Sequence, residues 1–514
     1  MDPISHKNVH QLLQQITQAP LPLFLFLFLF LFLLSLKLFS TKSTKALPPS
    51  PPQLPIIGNL HQLGSLPHRS VASLSDKYGP LMLLKLGQIP TLVVSSAKLA
   101  REVMKSHDTI FSNRYQNRAA QSLIYGCRDV AFASYGEQWR QARKLCVLEL
   151  LSAKRVESFQ YVRDEEVGEL VKKIRKGCGF GDSGVNLNQL LMSTSNNIVS
   201  RCVLGEKFEN GKGMSGFGDV TRKVMVLLSA FCVGDALPWL GWVDAVRGFN
   251  RELKNTFEAL DGLFDRVIDE HREKMKNSDR SGEMDFVDII LQLQQRDTLD
   301  YRFSMNDYKA ILLDMFVGGT DTTATGLEWA MAELMRNPTA MKKVQEEVRT
   351  VTGKKPKIEA EDIQKMKYMQ CVIKESLRLH PPVPLLVPRQ TMGTVNLEGY
   401  EIPPKTSVWV NAWAIQRDPK SWENPNEFIP ERFMEPNSVD FKGQDFEFVP
   451  FGSGRRKCIG MSFGLAALES VLANLLYWFD WKLPAGEPLD MTEEHGLSVF
   501  MKHPLSLVPI PRTV

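Results

Sequence analysis

From Leu21 the chain reads LPLFLFLFLFLFLLSLKLF, ending at Phe39. In lipid, the one open-chain conformation that satisfies every backbone group of such a run is a helix. As a helix it is about 28 Å long, the thickness of a hydrocarbon core. A cleaved leader is the alternative, but the apolar stretch is long and no small-x-small cleavage site follows. Lys37, Lys42 and Lys45 lie on its C-terminal side; on the other side is Lys7, offset by Asp2. That asymmetry predicts an uncleaved, single-pass anchor that keeps the rest of the chain cytosolic. Residues 1–20 are then a short lumenal N-terminus and residues 21–39 the transmembrane helix.

Residues 40–55 read as a basic, Pro-rich hinge, because LPPSPPQLP (Leu47–Pro55) is stiff, extended and poor in donors. Residues 56–514 show no second boundary and read as one large domain. PLMLLKLG (Pro80–Gly87) and PTLVVSS (Pro90–Ser96) predict a hairpin. Helical periodicity dominates elsewhere. One helix runs from about Asn306 to Arg336 and stops at Asn337-Pro338; another runs from Tyr368 to Leu379; a third follows Cys458. Loops are expected near 177–184 and 205–218. The fold class is therefore mainly α with small β-sheets. A net charge of +4, with no basic run interleaved with aromatics, argues against nucleic-acid binding. Seven scattered cysteines without a C-x-x-C pair fit neither a disulfide framework nor a structural zinc site.

One cysteine has unusual neighbours. Cys458 lies in FGSGRRKCIG, residues 451–460. Arg455, Arg456 and Lys457 supply positive charge, and the following helix aims its N-terminus at the thiol. Gly454 and Gly460 allow backbone amides to come close. A nucleophilic cysteine would need a base, and none of the histidines is marked as one. A zinc site would need more ligands. A lone thiolate on a glycine-lined loop suits one axial bond to a haem iron. A capping loop with an incidental cysteine is the bland alternative.

The decapeptide resembles the haem-binding loop of the cytochrome P-450 superfamily, F-x-x-G-x-R-x-C-x-G, at every fixed position. Glu375 and Arg378, in KESLRLHPP, match the family's E-x-x-R, and PERF (Pro430–Phe433) supplies Arg432 as its third member. The resemblance gives these three a structural role in bracing the haem loop. WRQAR places Trp139 and Arg143 at propionate-binding positions, with Arg389 and Arg456 as two more, and Phe451 opens the loop. GGTDTT (Gly318–Thr323) matches the oxygen-binding motif. Two adjacent glycines cost a helix about 2 kcal/mol against alanine. A close helix crossing is one reason to place them there; a locally opened helix whose freed carbonyls and hydroxyls hold water and dioxygen is the other. In the second reading Asp321 and Thr322 relay protons.

The resemblance covers about residues 47–514 and points to a plant microsomal member of the large specialised-metabolism clan. It departs from that clan at FSNRY (Phe111–Tyr115), which lacks a Pro after the Arg, and at His495. It implies haem b with Cys458 as the axial ligand, and NADPH and dioxygen as co-substrates. Electrons would come from NADPH–cytochrome P-450 reductase, with cytochrome b5 as a further partner, at the endoplasmic reticulum membrane. Arg140, Lys144, Arg455 and Lys457, flanking the propionate arginines, would form a basic patch facing the reductase. The pocket would be lined by Val130, Phe132, Ala133, Phe316, Gly318, Val383, Val387, Leu497 and Phe500. Its apolar character suits a terpenoid or a phenylpropanoid- or coumarin-like substrate, taking one oxygen atom. The competing functions are a haem-thiolate isomerase or dehydratase, and a non-catalytic, membrane-anchored ligand-binding protein.

Overall fold

A computed structural model describes residues 21–38, 46–178, 184–207, 217–276, 283–296, 300–435, 438–485 and 488–512. The expected lumenal segment, most of the first half of the hinge, and the loop centres at 179–183 and 208–216 lie outside these residues. Leu21–Leu38 forms a helix, α1, on which Phe24–Phe32 are exposed. The Pro-rich stretch is no free spacer. Pro48 and Pro51 are buried, and the backbone around them is docked: Ala46 O accepts from Glu401 N at 3.0 Å and Pro49 O from Leu83 N at 2.9 Å. Prolines lack donors but keep their carbonyls, and the domain's edge supplies the donors.

The predicted hairpin is β1 (Leu81–Leu86) paired antiparallel with β2 (Ile89–Val94). It belongs to a five-stranded sheet that also contains β3 (Asn113–Arg114), β4 (Arg389–Gln390) and β5 (Ser407–Val410), in the order β1-β2-β5-β4-β3. The register sets Arg114 directly opposite Arg389. Helices make up the rest of the core. Those that frame the site are α2 (Glu137–Leu145), α3 (Leu187–Leu204), α4 (Met305–Arg336), α5 (Lys367–Leu379) and α6 (Met461–Trp478). α4 starts on a capping box in which Ser304 and Asp307 exchange hydrogen bonds, and it ends before Asn337-Pro338. α6 is apolar and long enough to cross a bilayer, yet 56% of it is buried, which makes it a core helix. A two-stranded hairpin, β6 (Glu493–His495) and β7 (Val499–Met501), packs near α4.

α4 is unbroken. The expected local opening at GGTDTT is absent, and the helix runs through all six residues. Gly319 explains the pattern differently: a Cβ there would stand 3.0 Å from Val199 Cγ2 on α3. The small residue lets two helices cross closely. Gly318 faces the other way, with no atom within 4 Å of where its Cβ would be.

Candidate active site

Cys458 sits between the short helical turn Gly454–Arg456 and the N-terminus of α6. The loop is pinned through its backbone. Cys458 N donates to Phe451 O at 3.0 Å. Gly454 has φ +69°, and a Cβ would meet Met104 O at 2.2 Å, so no other residue fits. Burial pushes the Cys458 thiol up; the amides of Gly460 and Met461 and the charges of Arg143 and Lys457 pull it back toward the thiolate. Arg455 and Arg456, whose charge the sequence sets beside the thiol, with Arg456 also at a propionate position, are bound to other groups. Arg455 binds Asp108 at 3.0 Å. Arg456 donates to the carbonyls of Ser112, Val130 and Ala133 at 2.7, 3.1 and 2.6 Å.

The thiol opens on a cavity of about 340 Å³. Its wall brings together Cys458, Phe451, Gly318, Thr322, Arg143, Arg389 and Arg456, and from the expected pocket set Val130, Phe132, Val383, Val387 and Leu497. Five expected residues lie off it. Trp139 is buried beneath Arg456, whose guanidinium stacks at 4.1 Å from its ring, and its indole N–H donates to Val130 O at 3.0 Å. Phe316 is packed in the core at 1% exposure, because it points away from the side of α4 that carries Gly318. Ala133 is buried and meets Arg456 through its carbonyl. Phe500 folds over its own hairpin, so close that a Cβ on Gly496 would be 2.8 Å from its ring. Asp321 turns toward Ser498; burial pushes its carboxyl up, and contacts with Ser498 oppose the shift. The Thr322 hydroxyl donates back to Gly318 O at 2.6 Å.

A fourth arginine, Arg114, joins the wall. It donates to Ala131 O at 2.8 Å and Val387 O at 2.5 Å. Arg389 binds Asp108 at 3.0 Å and Ser453 O at 2.7 Å, and Arg143 binds Lys457 O at 3.0 Å. Burial lowers the affinity of these guanidiniums for their protons, Arg456 to about 9, and their neighbours add to it: Arg456 and Arg389 act on Arg114, and Arg389 on Arg456. Among the described residues, Asp108 is the one carboxylate in ion-pair contact with these four side chains. Like charges set opposite one another across a sheet are destabilising. The cluster therefore has the electrostatics of a site for a ligand with more than one anionic group, and the two carboxylates of a haem fit it.

The network behind the loop is complete. Arg378 Nε and Nη2 bind both oxygens of Glu375 at 2.7 and 2.8 Å, and both residues are fully buried. Arg432 Nε adds a third contact at 3.1 Å. Gln416, which no motif marked, extends it: its Nε2 donates to the Leu377 and Arg378 carbonyls, and its Oε1 accepts from Val449 N at 3.0 Å, two residues before Phe451. The expected basic patch is weaker than charge counting implied. Arg140 pairs with Glu137, Lys144 with Asp300 at 2.6 Å, and Arg455 with Asp108.

A family model for cytochrome P450 matches residues 48–509. The chain is a cytochrome P450. It is 55% identical over 471 residues to a phenylacetaldehyde oxime monooxygenase of Prunus mume, covering 90% of this chain and 89% of that one. It is 52% identical over 457 residues to cytochrome P450 71A1 of Persea americana, covering 88% and 91%. A zebra fish cytochrome P450 solved with abiraterone superposes with a TM-score of 0.73 at 26% identity, over 87% of this chain and all of that one. This P450 is thus a haem-thiolate monooxygenase of plant specialised metabolism, with haem held by a cysteine thiolate and NADPH and dioxygen as co-substrates. Arg114, Asp108 and Gln416 escape sequence reasoning because no local pattern sets them apart; Arg114 sits within FSNRY, one of the two departures from the clan.

Proposed function

We propose that this P450 inserts one oxygen atom into a small lipophilic plant metabolite, aromatic or terpenoid, with Cys458 as the iron ligand. The observation that carries the reading is the shared cavity: one thiol, four guanidiniums and an apolar wall meeting at Gly318 and Thr322. Haem, when bound, supplies the reductive activation of dioxygen. The chain does the rest. Arg114, Arg143, Arg389 and Arg456 hold the carboxylates of the macrocycle. Glu375, Arg378 and Arg432, through Gln416, hold the loop. Thr322 and Asp321 handle protons on the substrate side. Val130, Phe132, Val383, Val387 and Leu497 exclude water and orient the substrate. The Prunus mume relative's name points to an aromatic substrate, which this wall would accept.

Electrons would arrive from NADPH through a membrane-bound P450 reductase, with cytochrome b5 as an accessory. Membrane attachment rests on α1 and on a second feature. Leu54 and Ile56, just past the anchor, are exposed, as are Phe231, Trp239, Trp242 and Val246. The β1–β2 turn links the two groups: Gly87 N binds Ile57 O at 3.1 Å and Gln88 N binds Ala236 O at 2.8 Å. An apolar, Trp-bearing surface on the segment that follows the anchor in sequence, and on its neighbours, suits a bilayer interface on the cytosolic side of the endoplasmic reticulum.

The test is turnover of a plant-metabolite panel in microsomes with reductase. An NADPH-dependent oxygenated product, lost in Cys458→Ala, is expected. Conversion of a peroxide without NADPH would make it an isomerase, and a substrate-induced spectral shift without turnover would make it a binding protein.

A further inference from the structure

Asp314, on α4 one turn before Gly318, opens on the cavity, while Asp129 is fully buried behind it. Neither belongs to a motif, and neither pairs with a cation among the described residues. Their acceptors are used on one short segment. Asp314 Oδ2 accepts from Val130 N at 2.7 Å and Ala131 N at 3.2 Å, and Asp129 Oδ2 from Phe132 N at 2.9 Å. These three consecutive amides bring the two carboxyl groups together, where each acts on the other's ionisation, and Asp129 Oδ1 is buried with no donor in reach. Two ionised carboxylates in contact in an apolar interior repel, so one keeps its proton. That proton also gives the contact a donor, which two carboxylates lack.

We propose that Asp129 and Asp314 share one proton at neutral pH, and that this pair is the clasp positioning residues 129–133 against α4. The segment is held by its N–H groups on one side and works through its carbonyls on the other. Val130 O accepts from Trp139 and Arg456, Ala131 O from Arg114, and Ala133 O from Arg456. Val130, Ala131 and Phe132 are also cavity wall. One shared proton thus sets two arginines and part of the substrate surface. The consequence for the arginines rests on the active-site reading above; the shared proton does not.

Burial drives both carboxyls up. The groups that face the pair are Cys127 on the same segment, Cys146 after α2, Arg114 from β3 and Arg456 from the thiolate loop. Both thiols stay neutral through the physiological range because burial raises them too. A hydrogen bond from Asp314, the Phe132 amide and then the charge of Arg456 oppose the rise at Asp129, so the shared proton lies nearer Asp314. The linkage sign follows. A carboxyl raised in the folded state adds stability that is complete below its unfolded value, near pH 4, and is lost as pH rises through the folded value.

The experiment uses full-length, haem-loaded protein, as wild type and as Asp314→Asn, Asp129→Asn and Asp314→Ala. Infrared spectra in D2O at neutral pH should show a protonated-carboxyl band in the wild type that disappears in each Asn variant. An amide supplies the donor permanently, so the Asn variants should release haem to apomyoglobin at close to the wild-type rate, and with a flatter dependence on rising pH. Asp314→Ala leaves two buried amides unpaired and should release haem about tenfold faster or more. Absence of the band in the wild type overturns the proposal, as does haem loss from Asp314→Asn as fast as from Asp314→Ala. If Asp314→Ala does not fold, the infrared band and the two Asn variants still decide.

Discussion

The thiolate loop and the middle of α4 line the same cavity, and they are built in opposite ways. In the loop, backbone atoms are tied down, Cys458 N to Phe451 O within the loop and three others to distant parts of the chain: Arg455 N to Asp108, Ser453 O to Arg389, Lys457 O to Arg143. On α4 the cavity face is left bare. Gly318 has nothing near it, and of the polar side chains there, Asp314 is spent on the amides of Val130 and Ala131 while Thr322 turns its proton back onto its own helix. The iron side is held by contacts that no substrate need disturb. The substrate side is a gap whose shape rests on a few replaceable side chains. Chemistry is thereby held constant while specificity drifts.

If that contrast is right, damage on the loop side should be the more severe. Glu375→Ala leaves Arg378 buried and uncompensated, which costs about 3–5 kcal/mol. The effect should pass through Gln416 to Val449 and the loop. Holoprotein should fail to accumulate, read as loss of the reduced carbon-monoxide spectrum of the thiolate form. A stable, fully loaded Glu375→Ala protein would mean that the loop is held some other way.

The adjacent glycines sharpen the comparison, since one belongs to packing and the other to the gap. Gly319→Ala drives a methyl against Val199 and should lower thermal stability by about 1–2 kcal/mol after the gain in helix propensity. Gly318→Ala meets nothing and should raise stability by up to about 1 kcal/mol, while narrowing the cavity and biasing turnover toward slimmer substrates. Thermal melts and a substrate panel on both variants would show it. Equal destabilisation by the two would place Gly318 in the packing as well.

The same division decided what could be read from the sequence. The loop, the Glu375–Arg378–Arg432 network and the main helix boundaries were legible because each residue there has a backbone or ion-pair task that demands one residue type at one spacing. The pocket was less so. Phe316 and Val317 are neighbours on α4, yet Val317 lines the cavity and Phe316 is core; only the helix's rotation against α3 decides between them. At the hairpin, Leu497 reaches the cavity and Phe500 covers the turn. Arg114 escaped because its role arises from a cross-strand register with Arg389 275 residues away, which no local window contains.

That correction is itself testable. Leu497→Ala should change product distribution while haem content stays near wild type. Phe500→Ala removes a half-buried ring that packs on Gly496 and should cost hairpin stability of about 1 kcal/mol, less than a core phenylalanine, with little effect on products. Product profiles beside melting temperatures would separate them, and the reverse outcome would put Phe500 over the substrate after all.

The finest test concerns one proton on the bare face. The Thr322 hydroxyl spends its hydrogen on Gly318 O at 2.6 Å, so it offers the cavity only lone pairs. It can accept a hydrogen bond from a water or a protonated oxygen there, and so hold that donor in a fixed direction. Thr322→Val keeps the shape and the β-branch but removes the acceptor; Thr322→Ser keeps the acceptor and removes the methyl. Haem content, substrate binding and thermal stability should stay close to wild type in both, within about 1 kcal/mol. Product formed per NADPH consumed should fall several-fold in Thr322→Val, with hydrogen peroxide rising to match, and should be largely retained in Thr322→Ser. Asp321→Asn should behave differently. Its half-buried carboxyl lies off the wall beside Ser498, so it would act by resupplying protons, and its loss should slow NADPH consumption itself instead of diverting it. Full coupling in Thr322→Val would show that the hydroxyl only satisfies Gly318, and that the protons reach the cavity by another route.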